Sequence, residues 1–118
     1  MKRDWDFIRD LLIDIESETD TVKKYANTPQ QETYLQHVRM LEQGGFIKGL
    51  VAKKAVGGQW NIMQNDPYLT WEGNDLLNTL RDQTVWNKIK ERATETGISL
   101  TTDSVKALGA WALKALIG

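Results

Sequence analysis

The spacing of apolar and polar positions changes period several times along the chain, and each change marks an element. Trp5, Ile8, Leu12 and Ile15 recur at helical spacing, with Leu11 widening the stripe. This predicts a helix over about 4–17, with Asp4 able to cap it. Residues 18–29 are less regular, and Val22 to Ala26 reads as a short strand or a single helical turn. Tyr34, Val38 and Leu41 stand at i, i+4 and i+7 beside Leu35, which predicts a helix up to Gln43. Pro29 suits its first turn, and Thr28 could cap it. Gly44-Gly45 stops this helix, because glycine reaches the left-handed conformation of a helix C-terminus without steric cost.

From Phe46 the pattern is that of strands. Phe46 to Lys53 is rich in β-branched and apolar residues, and Gln59 to Met63 alternates, with Trp60 and Ile62 on one side. Gly57-Gly58 between them predicts a hairpin turn. Asn65-Asp66-Pro67 predicts a break. A helix over 71–82 follows, opened by Thr70 as cap, with Trp71, Leu76, Leu77 and Leu80 expected in the core. Residues 84–94 predict another helix, with Val85, Trp86 and Ile89 inside, ended by Gly97. A last helix runs over about 103–117 and is unusually apolar. The expected fold is α+β and mostly helical: a winged helix-turn-helix domain with a β-hairpin wing over 1–82. The C-terminal helical extension over 83–118 belongs to the same folding unit.

Composition narrows the function classes. The chain has 118 residues, enough for one core, and a net charge of −1, so it is not an electrostatic nucleic-acid binder as a whole. It has no cysteine, which excludes disulfides and thiolate chemistry. No run of about 18 apolar residues is present, and the acidic opening does not read as a signal peptide. A cytoplasmic protein without membrane contact is expected. Asp6, Asp10 and Asp14 line one helix face and read as a solvated surface, with Arg9 nearby. His37 is the only histidine, and metal or acid–base work would need partners that the pattern does not supply. A structural or surface role is expected for it, at the foot of the wing. Ser17, Ser99 and Ser104 sit in no nucleophile elbow, and neither glycine pair has phosphate-loop spacing. No enzyme activity, cofactor or metal is expected.

The opening Met1-Lys2-Arg3-Asp4-Trp5-Asp6, the stretch Leu69-Thr70-Trp71-Glu72-Gly73-Asn74-Asp75-Leu76-Leu77 and the stretch Thr84-Val85-Trp86-Asn87-Lys88-Ile89-Lys90 resemble a family of small uncharacterised proteins of bacteria and their phages. The resemblance extends from Met1 to about Leu113. Tyr34 to Ile47 is similar to the family's Tyr-x-x-His helix, although Gly44 stands where alanine is more usual. The resemblance implies a winged-helix fold, a phage or prophage setting and no established activity.

Charge is uneven between the elements that would meet a ligand. Residues 29–45 carry Arg39 against Glu32 and Glu42, whereas residues 46–63 carry Lys48, Lys53 and Lys54 and no acid. If the chain binds DNA, Gln31, Gln36, Arg39 and Gln43 are of the types that read bases, and Lys48, Lys53 and Lys54 would touch phosphate. Such binding is expected to be weak, non-specific and carried by the wing. The leading expectation is a small DNA-binding or regulatory protein; the alternative is a protein-interaction adaptor without nucleic-acid contact. A continuous basic surface would favour the first, isolated lysines the second. Trp5, Trp71 and Trp86 are expected as core anchors. A homodimer is expected through the last helix, at Leu108, Trp111, Ala112, Ala115 and Leu116, where small alanines allow close approach.

Overall fold

Helix α1 (Trp5–Glu16) starts where Asp4 accepts the Phe7 N–H at 3.0 Å, and it buries Phe7, Ile8, Leu11, Leu12 and Ile15. These features come from a computed structural model that describes residues 2–117, so Met1 of the opening motif lies outside it. The segment 21–25 resolves into a single helical turn, α2 (Thr21–Tyr25), capped by Asp20. Helix α3 (Gln31–Gln43) starts later than Pro29 suggested. Thr28 does not cap it; its hydroxyl donates backwards to the Tyr25 carbonyl at 2.7 Å. An aromatic chain links the three helices: His37 lies 5.3 Å from Phe7, Phe7 5.3 Å from Tyr25, and Tyr25 stacks on Tyr34 at 4.9 Å.

Helix α3 ends as its glycine pair requires. The Phe46 N–H reaches the Leu41 carbonyl at 2.9 Å and the Gly45 N–H reaches Glu42 at 3.1 Å, with Gly45 left-handed at φ 81°. This double bond is the Schellman arrangement, which satisfies carbonyls that the helix leaves open. Strands β1 (Ile47–Lys54) and β2 (Trp60–Leu69) then pair antiparallel. The turn between them closes with Gly58 N–H to the Ala55 carbonyl at 2.9 Å and Ala55 N–H to Gln59 at 2.7 Å.

The expected break at Asn65-Asp66-Pro67 is instead part of β2. The register slips between Lys48 and Leu50, so Gly49 faces the extra residues of the longer strand. Asp66 takes a left-handed φ of 51° there, and a Cβ on Gly49 would fall 2.5 Å from the Asn65 carbonyl oxygen. A bulge and a turn recruit the same residue types, and proline is tolerated at a bulge on an edge strand.

Helix α4 (Trp71–Leu80) follows at once. Thr70 caps it, accepting from the Gly73 N–H at 3.1 Å, and its hydroxyl donates to the Gly45 carbonyl at 2.6 Å. Leu76, Leu77 and Leu80 are buried as expected, but Trp71 is 86% exposed. At about 100° per residue, Trp71 lies half a turn around the helix from Leu80. Its spacing of five from Leu76 was never that of one face. Trp5 and Trp86 are buried.

Residue contacts divide the chain into two compact units, Met1–Asn74 and Asp75–Gly118, so the division falls inside α4. The second unit continues with α5 (Gln83–Thr96), whose cap Asp82 accepts from the Thr84 and Val85 N–H groups. It ends with α6 (Thr102–Ile117). There Thr101 and Ser104 form a reciprocal cap: the Ser104 N–H donates to the Thr101 hydroxyl at 3.1 Å and the Thr101 N–H to the Ser104 hydroxyl at 2.8 Å. Among the described residues no helix is long and apolar enough to cross a membrane. The fold class is α+β, mostly helical, with one two-stranded antiparallel hairpin.

Candidate recognition surface

The pleat of the hairpin sorts its side chains onto two faces, because successive residues of a strand alternate. Leu50, Ala52 and Lys54, with Ile62 and Trp60 opposite, form the inner face, where Leu50 and Ala52 are buried. The outer face holds three cross-strand pairs: Lys48 with Tyr68, Val51 with Met63, and Lys53 with Asn61. Met63 is 65% and Tyr68 54% exposed. Lys53 and Lys54, adjacent in sequence, therefore serve different surfaces.

Helix α3 meets the inner face at Trp60. The Trp60 indole N–H donates to Glu32 Oε2 at 2.9 Å, and the Lys54 ammonium lies 3.8 Å from Glu32 Oε1. Gln36 donates to the same Glu32 oxygen at 3.2 Å. The Arg39 guanidinium sits 4.9 Å from the Trp60 ring centroid and the Lys54 ammonium 5.6 Å from it. One carboxylate and one indole thus engage Gln36, Arg39 and Lys54. The Lys54–Glu32 pair is solvent-exposed and contributes little by itself. The stacking of Arg39 on Trp60 and the indole hydrogen bond fix the geometry.

Of the seven residues singled out for DNA contact, the structure gathers Gln36, Arg39 and Lys54 around Glu32 and Trp60. Gln31 and Gln43 are exposed at opposite ends of α3, and Lys48 and Lys53 are on the outer face of the hairpin. Glu32 and Trp60 organise this surface, whereas charge counting sets Glu32 only against Arg39. Alternation had already put Trp60 on the side of Ile62, which was the one available signal.

His37 is 1% exposed, and its hydrogen bonds go to Asp4 and Thr33 rather than to the foot of the wing. Its Nε2 accepts the Asp4 N–H at 3.0 Å, so Nδ1 is the protonated nitrogen that donates to the Thr33 carbonyl at 2.7 Å. The ring ties α3 to the start of α1. Asp14, one of the three aligned acids, pairs with Lys24 at 2.7 Å, and this hydrogen bond raises the Lys24 ammonium above its ordinary range. Burial pushes the Tyr25 phenol up, and burial pushes Tyr34 up to about 12 against the opposing hydrogen bond from Thr21. Tyr25 and Tyr34 belong to the buried helical core, while the Asp14–Lys24 pair is on its surface. No group of histidines and carboxylates among the described residues could hold a metal ion.

In the second unit, α6 leaves Trp111, Ala115 and Leu116 exposed, whereas Leu108 and Ala112 are buried. The last two are therefore unavailable for the contact between copies that the sequence had assigned to all five.

Residues 2–99 match the family described as Hypothetical protein (DUF2513). A relative from Haemophilus influenzae, described as an uncharacterized protein, is 29% identical over 112 residues, covering 90% of this chain and 90% of the relative. No solved structure matches the chain.

Proposed function

We propose that this chain, which belongs to the hypothetical-protein family DUF2513, is a small winged-helix regulatory module that acts by binding another protein. The order of three helices followed by a two-stranded hairpin in the first unit supports the winged-helix reading. In such a domain the third helix enters the major groove when DNA is the ligand. That role needs side chains free to reach base edges. The observation that carries the protein-binding reading is the engagement of α3 with its own hairpin: Glu32, Gln36 and Arg39 are bound to one another or to Trp60 and Lys54.

A surface left open in the first unit is the outer face of the hairpin. It combines exposed Met63 and Tyr68 with Lys48 and Lys53, and its three cross-strand pairs include no acid. Aromatic and methionine side chains are enriched in protein interfaces. A photo-crosslinking residue at position 63 should trap a protein partner in cells. The same residue at position 52, on the buried inner face, should trap none. Equal yields from the two positions would remove the outer face from the account, and adducts to DNA alone would replace this reading by the DNA-binding one.

A further inference from the structure

We propose that a second copy of this chain docks in the groove of the second unit, pairing α6 with α6 about a two-fold axis. The inference is independent of the ligand of the hairpin. The groove has a volume of about 380 Å³ and is lined by Thr79, Val85, Gly109, Ala110 and Leu113, with Asp82 and Lys106 beside them. Gly109 brings α6 close to α4, since a Cβ there would fall 2.5 Å from the Thr79 methyl. On the same side of the helix as Leu113, Leu116 and Ile117 are also exposed, Ile117 by 84%, while Trp111 lies on the far side with the Arg92 guanidinium 5.0 Å from its ring centroid. A patch of that breadth is uncommon on a surface that stays in water.

Three observations identify the occupant as another copy. Helix α6 supplies both the groove lining, through Gly109, Ala110 and Leu113, and the protruding apolar side chains that would fill it. A two-fold contact needs one patch to be its own complement, and an element that carries both groove and ridge meets that condition. Second, Asp82 and Lys106 line the groove with opposite charges. A two-fold axis passing between them sets each against the opposite sign on the other copy. Third, the second unit carries Asp75, Asp82, Glu91, Glu95 and Asp103 against Arg81, Lys88, Lys90, Arg92, Lys106 and Lys114, so net repulsion does not oppose self-association.

Sedimentation of the full chain at tens of micromolar tests the proposal. The expected species has twice the 13.5 kDa mass of the chain. Leu113→Asp should give the single-chain mass, with helix content by circular dichroism unchanged because Leu113 is exposed. Lys106→Glu, a change at a solvated position, should weaken association about tenfold or more, while Glu91→Lys on α5 should leave it unchanged. A 13.5 kDa parent, which would leave the groove to a different protein, overturns the proposal. So does a Lys106→Glu variant that associates as tightly as the parent.

Discussion

Gly73→Ala sets two physical effects against each other, and the structure decides the sign. Glycine inside a helix costs about 0.5–1 kcal/mol relative to alanine, so propensity alone predicts that the substitution stabilises α4. The Phe46 carbonyl oxygen, however, occupies the space that the new Cβ would need. Backbone cannot rotate aside as a side-chain tip can, so α4 must move away from the Gly45-Phe46 segment. That movement strains the bond from the Thr70 N–H to the Phe46 carbonyl at 3.1 Å and the Thr70 hydroxyl bond to Gly45 at 2.6 Å. Each is worth about 0.5–1.5 kcal/mol net, and the Thr70 cap adds about 1 kcal/mol. After subtracting the propensity gain, a net loss of about 1–3 kcal/mol is expected. In a chain of this size that lowers the Tm by at least about 4 °C in a thermal melt. Thr70→Val, which removes the same cap and hydroxyl bond by another route, should cost about 1–2 kcal/mol. A Gly73→Ala variant that melts at or above the parent would refute the close approach of α4 to Phe46.

Other consequences can be checked with the same melts. Leu76→Ala should cost about 2–5 kcal/mol through the cavity it leaves, whereas Trp71→Ala should stay within about 0.5 kcal/mol because its side chain is exposed; equal losses would put Trp71 back in the core. His37→Leu keeps the volume but removes the bond to the part-buried Asp4 N–H, at an expected cost of about 0.5–1.5 kcal/mol, and an unchanged urea midpoint would contradict the tie between α1 and α3. Burial raises the Tyr34 phenol to about 12 from 10.0, so the folded state holds its proton more tightly than the unfolded one. The associated stability, about 2–3 kcal/mol, is complete below pH 10 and is lost as pH rises from 10 to 12. Tyr34→Phe should flatten that alkaline loss, and an identical alkaline profile would exclude Tyr34 as its source.

Elements that rest on local periodicity or on a single stop signal were legible from residues alone. The stripe of α1, the glycine pair ending α3, the hairpin turn and the Thr70 cap each depend on residues within a few positions of one another. What was not legible depends on choices that local chemistry leaves open. Asn65-Asp66-Pro67 carries the same signal whether it ends a strand or bulges inside one, and only the Gly49 partner across the ladder selects the bulge. Trp71 was read inward because it is large and apolar, although its angle around the helix placed it opposite Leu80. Lys53 and Lys54 counted together as charge but separate across the pleat. The link from Glu32 to Trp60 joins residues 28 positions apart, and no local pattern encodes such a bond. Likewise His37 gains its buried role from Asp4, 33 positions away.

The central claim, that the chain works through a protein partner and not through DNA, is tested most directly by fluorescence anisotropy of a labelled random duplex. The titration is run at roughly 50 mM and 200 mM salt, because phosphate contacts reveal themselves as salt dependence. The account predicts a flat signal to tens of micromolar protein at both concentrations, since Lys54 and Arg39 are engaged within the chain and two lysines remain on the outer face. Saturable binding at the lower salt that falls steeply at the higher and disappears in a Lys53→Glu, Lys54→Glu double variant would contradict it.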